Sequence, residues 1–445
     1  MNRNRIILFA SLAALSMAEP ALAQPKKPAA AAKAAVVLKP VKPAAKEEAG
    51  PVIAYAGATV HLGNGEVIQD ATVVIAGGKI QQIGKGLAAP GGATLLPAKG
   101  MVITPGLVDA LTSIGLVEVD LESSTRSDRQ LAPPNDSVHA GFRAADAYNP
   151  ASIVIAVARS EGLTSVGVIP TGGLISGQSA WADLDGATAE EAIAAAPLAL
   201  HVHLDGDAPG EGAGHGTAIL KVREAFDDAR AFQKSRAAWE RNQTRRFAPS
   251  RLDLEALAGA LDQKLPVVFH VDRAADILAA LKIAAEFKLR PVIAGGAEAW
   301  KVAPQLAAAK VPVILFPLQQ PSSFDALGAR EDNAALLDKA GVAVGISTGE
   351  THNARKLRQE AGNAVRSGLP YEAALAAITR VPAEALGLGA RYGTLAVGKA
   401  ANLVLWSGDP LEIGTQVLDV VIRGHRLPLK SRQTALLDKY RRLPR

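Results

Sequence analysis

Pro291-Val292-Ile293-Ala294, Val311-Pro312-Val313-Ile314-Leu315-Phe316 and Val342-Ala343-Val344-Gly345-Ile346 are three short apolar runs whose spacing decides the fold class. Each is followed by a helical stretch, such as Ala299–Ala309 or Asn353–Ser367. An apolar run of four to six residues without alternation suits a strand covered on both faces, as parallel strands between helices are. Working outward, Leu163–Ile169, Leu198–Leu204 and Val267–His270 read as strands of the same kind, while Thr217–Gln243 and Ala274–Phe287 read as helices. Strand–helix alternation therefore fills residues 104–392, close to the roughly 250 or more residues of a (β/α)8 barrel. A doubly wound open sheet is the alternative.

The flanks favour the barrel. Residues 52–103 alternate in short strands broken by Gly63-Asn64-Gly65 and Gly77-Gly78, the spacing of small antiparallel hairpins. A similar segment returns over 393–427, with Asn402–Trp406 and Val417–Arg423. Neither segment makes a stable sheet alone. They are expected to join in one small β-sandwich domain, which requires the chain to enter and leave the α/β body near one place.

Outside this body, residues 1–23 have the form of a secretory signal: Arg3 and Arg5, the apolar run Ile6–Met17, and Ala21-Leu22-Ala23. The run is too short to span a bilayer, which takes about 20 residues. The expectation is an exported protein, periplasmic or secreted, with no integral membrane association. Residues 24–50 are almost entirely Pro, Ala and Lys and read as a disordered linker. The 428–445 tail is basic. The net charge of +5 does not imply nucleic acid, because residues 1–50 alone hold eight Lys or Arg against three Glu. The chain has no cysteine, which excludes disulfides, zinc–thiolate sites and a cysteine nucleophile. Aromatic residues are 4%, too few for a base-stacking platform.

Thr104-Pro105-Gly106-Leu107-Val108-Asp109 resembles the first barrel strand of the amidohydrolase superfamily, its imidazolonepropionase-like branch in particular. Phe269-His270-Val271-Asp272-Arg273-Ala274-Ala275-Asp276-Ile277 is similar to the fifth-strand motif and Gly295-Gly296-Ala297-Glu298-Ala299-Trp300 to the sixth. Gly393–Leu403 resembles the closing β segment. The resemblance implies hydrolysis of a carbon–nitrogen bond by a metal-activated water. It also implies a metal held by a His-x-His on the first strand, one His each on the fifth and sixth, and an Asp on the eighth. Residue by residue, those positions are Leu111 and Ser113, His270, Gly295 and Gly349. Only His270 keeps the family's ligand, so the metal site is degenerate. No cofactor is expected, or a divalent, zinc-type ion if the site functions.

Other polar groups remain candidates. His201, His203 and Asp205 lie at strand spacing and form an alternative metal cluster. Asp109, Asp272 and Arg273 are read as polar groups of the barrel mouth, with Asp276 completing an ion-pair set. The glycine-rich loop Pro170–Ser179 lacks Gly-Lys-Ser/Thr, so it cradles no phosphate, and Gly-x-Ser-x-Gly does not occur. No serine-hydrolase chemistry is expected at Ser176 or Ser179. Three functions follow: a hydrolase of small amides or dipeptides with an altered metal site, a pseudoenzyme serving as the non-catalytic partner of an active homologue, or a metal-independent enzyme using the barrel mouth differently. A homologous amidohydrolase subunit or a second copy of the chain is the expected partner.

Overall fold

A computed structural model describes residues 51–130, 137–204, 214–317 and 323–441. The expected signal sequence and linker lie outside these residues.

The first segment supplies β1 (Ile53–His61), β2 (Val67–Ala76), β3 (Lys79–Lys85), β4 (Thr94–Pro97) and β5 (Val102–Pro105). β2 and β3 meet at Gly77-Gly78, both with positive φ, as a two-residue hairpin turn of this hand requires. The α/β body holds β6 (Leu107–Thr112), β7 (Leu163–Val168), β8 (Ile175–Gln178), β9 (Ala180–Asp183), β10 (Ile193–Ala195) and β11 (Leu200–His203). It continues with β12 (Val267–Val271), β13 (Pro291–Gly295), β14 (Val313–Leu315) and β15 (Val344–Ile346). The last segment gives β16 (Leu403–Trp406), β17 (Val417–Ile422) and β18 (His425–Leu427).

The two terminal segments share one eight-stranded sheet in the order β18-β17-β16-β5-β1-β2-β3, with β4 beside β1. The joint is the antiparallel pairing of β5 with β16, Val102 opposite Trp406 and Pro105 opposite Leu403. Where two facing sheets of a sandwich were expected, ladder pairing gives one sheet, because β5 pairs with both β1 and β16. Its core is Ile53, Tyr55, Val60, Val73, Ile75, Ile80, Ile103, Leu403 and Val421. Trp406 fastens the sheet to the body by packing into the body's core, while its indole N–H donates within the sheet to Thr104 Oγ1 at 2.9 Å. A Cβ on Gly162 would lie 2.6 Å from the same ring, so close approach there requires glycine.

The body contains a six-stranded sheet, β15-β14-β13-β12-β11-β8, and a four-stranded one, β10-β9-β7-β6. β11 to β15 run parallel, as do β6 and β7. β8 and β9 run antiparallel to their neighbours. The expected uninterrupted βα alternation therefore breaks after β7, where the glycine-rich loop turns the chain back with no intervening helix. The two sheets touch at both margins. Leu111 N–H donates to Ser347 Oγ at one, and Leu198 and Ser179 exchange backbone bonds with Ser179 and Ala199 at the other. Val108, Ala110, Leu111, Val268, Val292, Ala294 and Ile314 form an inner apolar layer. A larger outer layer lies under the helices. The helix expected over Thr217–Gln243 spans Gly214–Glu240 and kinks at Ser235, whose hydroxyl donates to the Ala231 carbonyl one turn back.

Candidate functional site

The polar groups gather at the carboxyl ends of the body strands, where parallel α/β folds place their chemistry. On β6, Asp109 is fully buried and bridges the two sheets. It accepts the hydroxyls of Ser347 and Thr348 and the Thr348 N–H. Burial outweighs these donors and pushes its carboxyl up to about 6. The expected mouth carboxylate is thus a clamp between the first and last strands.

β11 and β12 pair in parallel with His203 opposite His270. Alternation along a strand then puts His201, His203 and His270 on one face. His201 Nδ1 lies 3.0 Å from His270 Nε2, and the His203 ring stacks on that of His270 with centroids 4.2 Å apart. Burial, then the neighbouring imidazoles, holds His201 down to about 3 and His270 well below the usual histidine range. Both are neutral at physiological pH. Among the described residues, Nε2 of His201 is buried without a hydrogen-bond partner. The sequence suggested His270 and the His201/His203 pair as separate candidates, and the structure brings them together. Asp205, the third member expected of the alternative cluster, lies outside the described residues.

One neighbour was not anticipated. β8 pairs with β11 through a bulge: His201 faces Gly177 and Val202 faces Ile175, leaving Ser176 as the extra residue. Gly177 has φ +126°, and a Cβ there would meet the Phe142 carbonyl oxygen at 2.5 Å. Such bulges re-aim side chains, and Ser176 Oγ lies 3.3 Å from His203 Nε2. The sequence has no histidine next to Ser176, so this contact arises only in the fold. Only the glycine richness of the loop hinted at this, since the contact is made across strands.

Beyond β12 the expected ion-pair set is divided. Arg273 Nε pairs with Asp276 Oδ2 at 3.0 Å, whereas Asp272 Oδ1 accepts the Ala297 N–H at 3.0 Å. His215 lies against this set, with Nδ1 3.0 Å from Asp276 and Nε2 3.4 Å from Asp325.

The family metal does not fit this set. Leu111 is buried in the inner apolar layer. Gly295 has φ +88°, and a Cβ there would stand 2.7 Å from Asp272 Oδ1, so no ligand-bearing side chain enters at the sixth-strand position without displacing Asp272. Gly349 also has positive φ and offers no donor. Next to it, Glu350 accepts the Asn353 side-chain amide. Among the described residues no three His, Asp or Glu are grouped to hold a metal ion.

An amidohydrolase family model matches residues 336–427. The chain is 24% identical over 375 residues to amidohydrolase tasK of Hapsidospora irregularis, covering 75% of this chain and 37% of that protein. It is 33% identical over 115 residues to a dihydroorotase of Geobacter sulfurreducens, covering 24% of this chain and 25% of that one. The chain thus spans little more than a third of the first relative and a quarter of the second. Among solved structures, an amidohydrolase from Thermotoga maritima superposes with a TM-score of 0.77 at 28% identity, over 84% of this chain and 99% of that one. Together these likenesses support the amidohydrolase superfamily and, by homology, a hydrolase scaffold.

Proposed function

We propose that this chain is an exported, imidazolonepropionase-like amidohydrolase homologue, with a (β/α)8 barrel and a small β domain, that has lost metal-dependent hydrolysis. In this reading it serves as the non-catalytic binding partner of an active homologue. The ligand set carries the reading. Of five family positions only His270 keeps its ligand, Ser113 offers a neutral hydroxyl in place of an imidazole, and His270 Nε2 already meets His201. A catalytic zinc needs about three protein ligands to hold it and to lower the pKa of its water. Leucine and glycine supply none. The Asp109 clamp and the Ser179–Ala199 exchange support closure of the two sheets into a barrel.

One observation favours a second reading, hydrolysis of a small amide or dipeptide without the family metal set. Three imidazoles and Ser176 converge at the mouth, where a proton acceptor and a hydroxyl stand in contact. One preparation tests both readings. Under the first, purified protein carries well under one metal per chain, hydrolyses neither acyl-amino acids nor dipeptides, and co-purifies with a histidine-rich homologue. Stoichiometric zinc that disappears in His270→Ala would refute it. Turnover by the isolated, metal-free chain would replace it with the second.

A further inference from the structure

The C-terminal helix, Arg432–Tyr440, has a built start and no use in the body. Ser431 and Thr434 form a reciprocal capping box, with Ser431 N–H to Thr434 Oγ1 at 2.8 Å and Thr434 N–H to Ser431 Oγ at 3.3 Å. No residue of the helix is buried, and Leu436, Leu437 and Tyr440 are 44%, 63% and 59% exposed. At about 100° per residue, Leu436, Tyr440 and Leu437 fall within about 100° of arc. Arg432 and Lys439 border that stripe on one side and Arg441 on the other, while Asp438 points to the far side. From Lys430 to Arg441 four cations accompany one carboxylate.

From this arrangement we infer that the helix is a docking element for an anionic lipid surface, lying in the interface with Leu436, Leu437 and Tyr440 inserted. Cations on both flanks of a narrow apolar stripe suit it, because their aliphatic stems follow the apolar face while their heads meet lipid phosphates. Asp438 is turned away from that surface. Charge complementarity therefore selects an acidic bilayer over a neutral protein groove, which has no need of cations along both edges. Among the described residues no helix is long and apolar enough to cross a membrane, so the contact is peripheral. Nine residues with three large apolar side chains give reversible, salt-sensitive binding.

The test is sedimentation of the full chain with vesicles of equal phosphatidylglycerol and phosphatidylcholine. The expected result is binding that falls roughly tenfold or more on vesicles of phosphatidylcholine alone and at high salt. L436S/L437S should weaken it by roughly tenfold or more with the melting temperature unchanged, since neither side chain is packed. The inference is overturned if the full chain does not bind the acidic vesicles or binds neutral ones equally. Unchanged binding by L436S/L437S overturns it too, placing the contact in the cationic amino-terminal segment. So does a dimer that the double variant dissociates, which would make a second copy the occupant.

Discussion

Replacing Asp109 by Asn probes the seam of the body directly. The carboxylate is fully buried between β6 and β15, and its pKa is pushed up to about 6 from the ordinary 3.8. A raised carboxylate pKa has the opposite consequence from a salt-bridged one. The unfolded chain releases the proton first, so between the two values the folded state binds more protons, and stability falls as pH rises. At about 1.4 kcal/mol per pH unit, full ionisation costs the folded state about 3 kcal/mol at neutral pH, of which about 2 accrue between about pH 4.5 and 7.

Asp109→Asn is nearly isosteric and never ionises, so it lacks this penalty while losing part of the acceptance from Ser347 and Thr348. The measurement is denaturant unfolding of both proteins across that range, reading the difference in free energy so that other titrating groups cancel. The wild type should lose about 2 kcal/mol relative to the variant as pH rises from about 4.5 to 7. A constant difference would show that the seam tolerates the charge without cost. A wild type that gained on the variant would show that the hydroxyls outweigh burial, and the reasoning would fail.

His201 supplies the reverse sign. Its pKa is held down to about 3, so wild-type stability falls as pH drops below about 6.5, by about 2 kcal/mol at about pH 5. His201→Asn should flatten that part of the profile, and parallel wild-type and variant profiles would contradict the buried neutral imidazole. Gly295→His, which restores a family ligand residue, should destabilise by at least about 2 kcal/mol through the Asp272 contact and the positive φ. Elemental analysis should find no gain in bound zinc; recovered stoichiometric metal would show that the sixth-strand position can still be refilled. Gly162→Ala should cost a similar amount through Trp406, read as a lowered melting temperature and altered near-ultraviolet dichroism, and an unshifted transition would deny that packing.

Much of the architecture was legible because it is written redundantly. Apolar runs such as Val311–Phe316 and Val342–Ile346 can be covered on both faces only in a layered α/β body, and many such runs agree. The glycine turns at 63–65 and 77–78 likewise fixed the amino-terminal hairpins. The break after β7 was not legible, because β8 and β9 are only four residues each and their direction depends on tertiary pairing. The division of Asp272 from Arg273 was missed for a similar reason. Adjacent charges suggest one cluster, but Asp272 answers a backbone N–H from the next strand's loop.

The site was legible in its losses before its gains. Leucine at 111 and glycine at 295 and 349 exclude metal ligation by chemistry alone, since neither residue carries a lone pair. Only the fold shows that the loss at 295 is structurally locked, because Asp272 occupies the space that any Cβ there needs. Reversion therefore takes more than one substitution, and each added donor must also overcome the packing that replaced it. The gain is harder to read because it is combinatorial: His201, His203 and His270 meet only through the β11–β12 register, and Ser176 reaches them only through a bulge. Burial holds the deeper pair, His201 and His270, below the usual histidine range, and His203 is the more exposed of the three imidazoles. The three imidazoles thus form a polar wall built from neighbouring strands, with His201 Nδ1 meeting His270 Nε2 and the His203 ring stacked on that of His270.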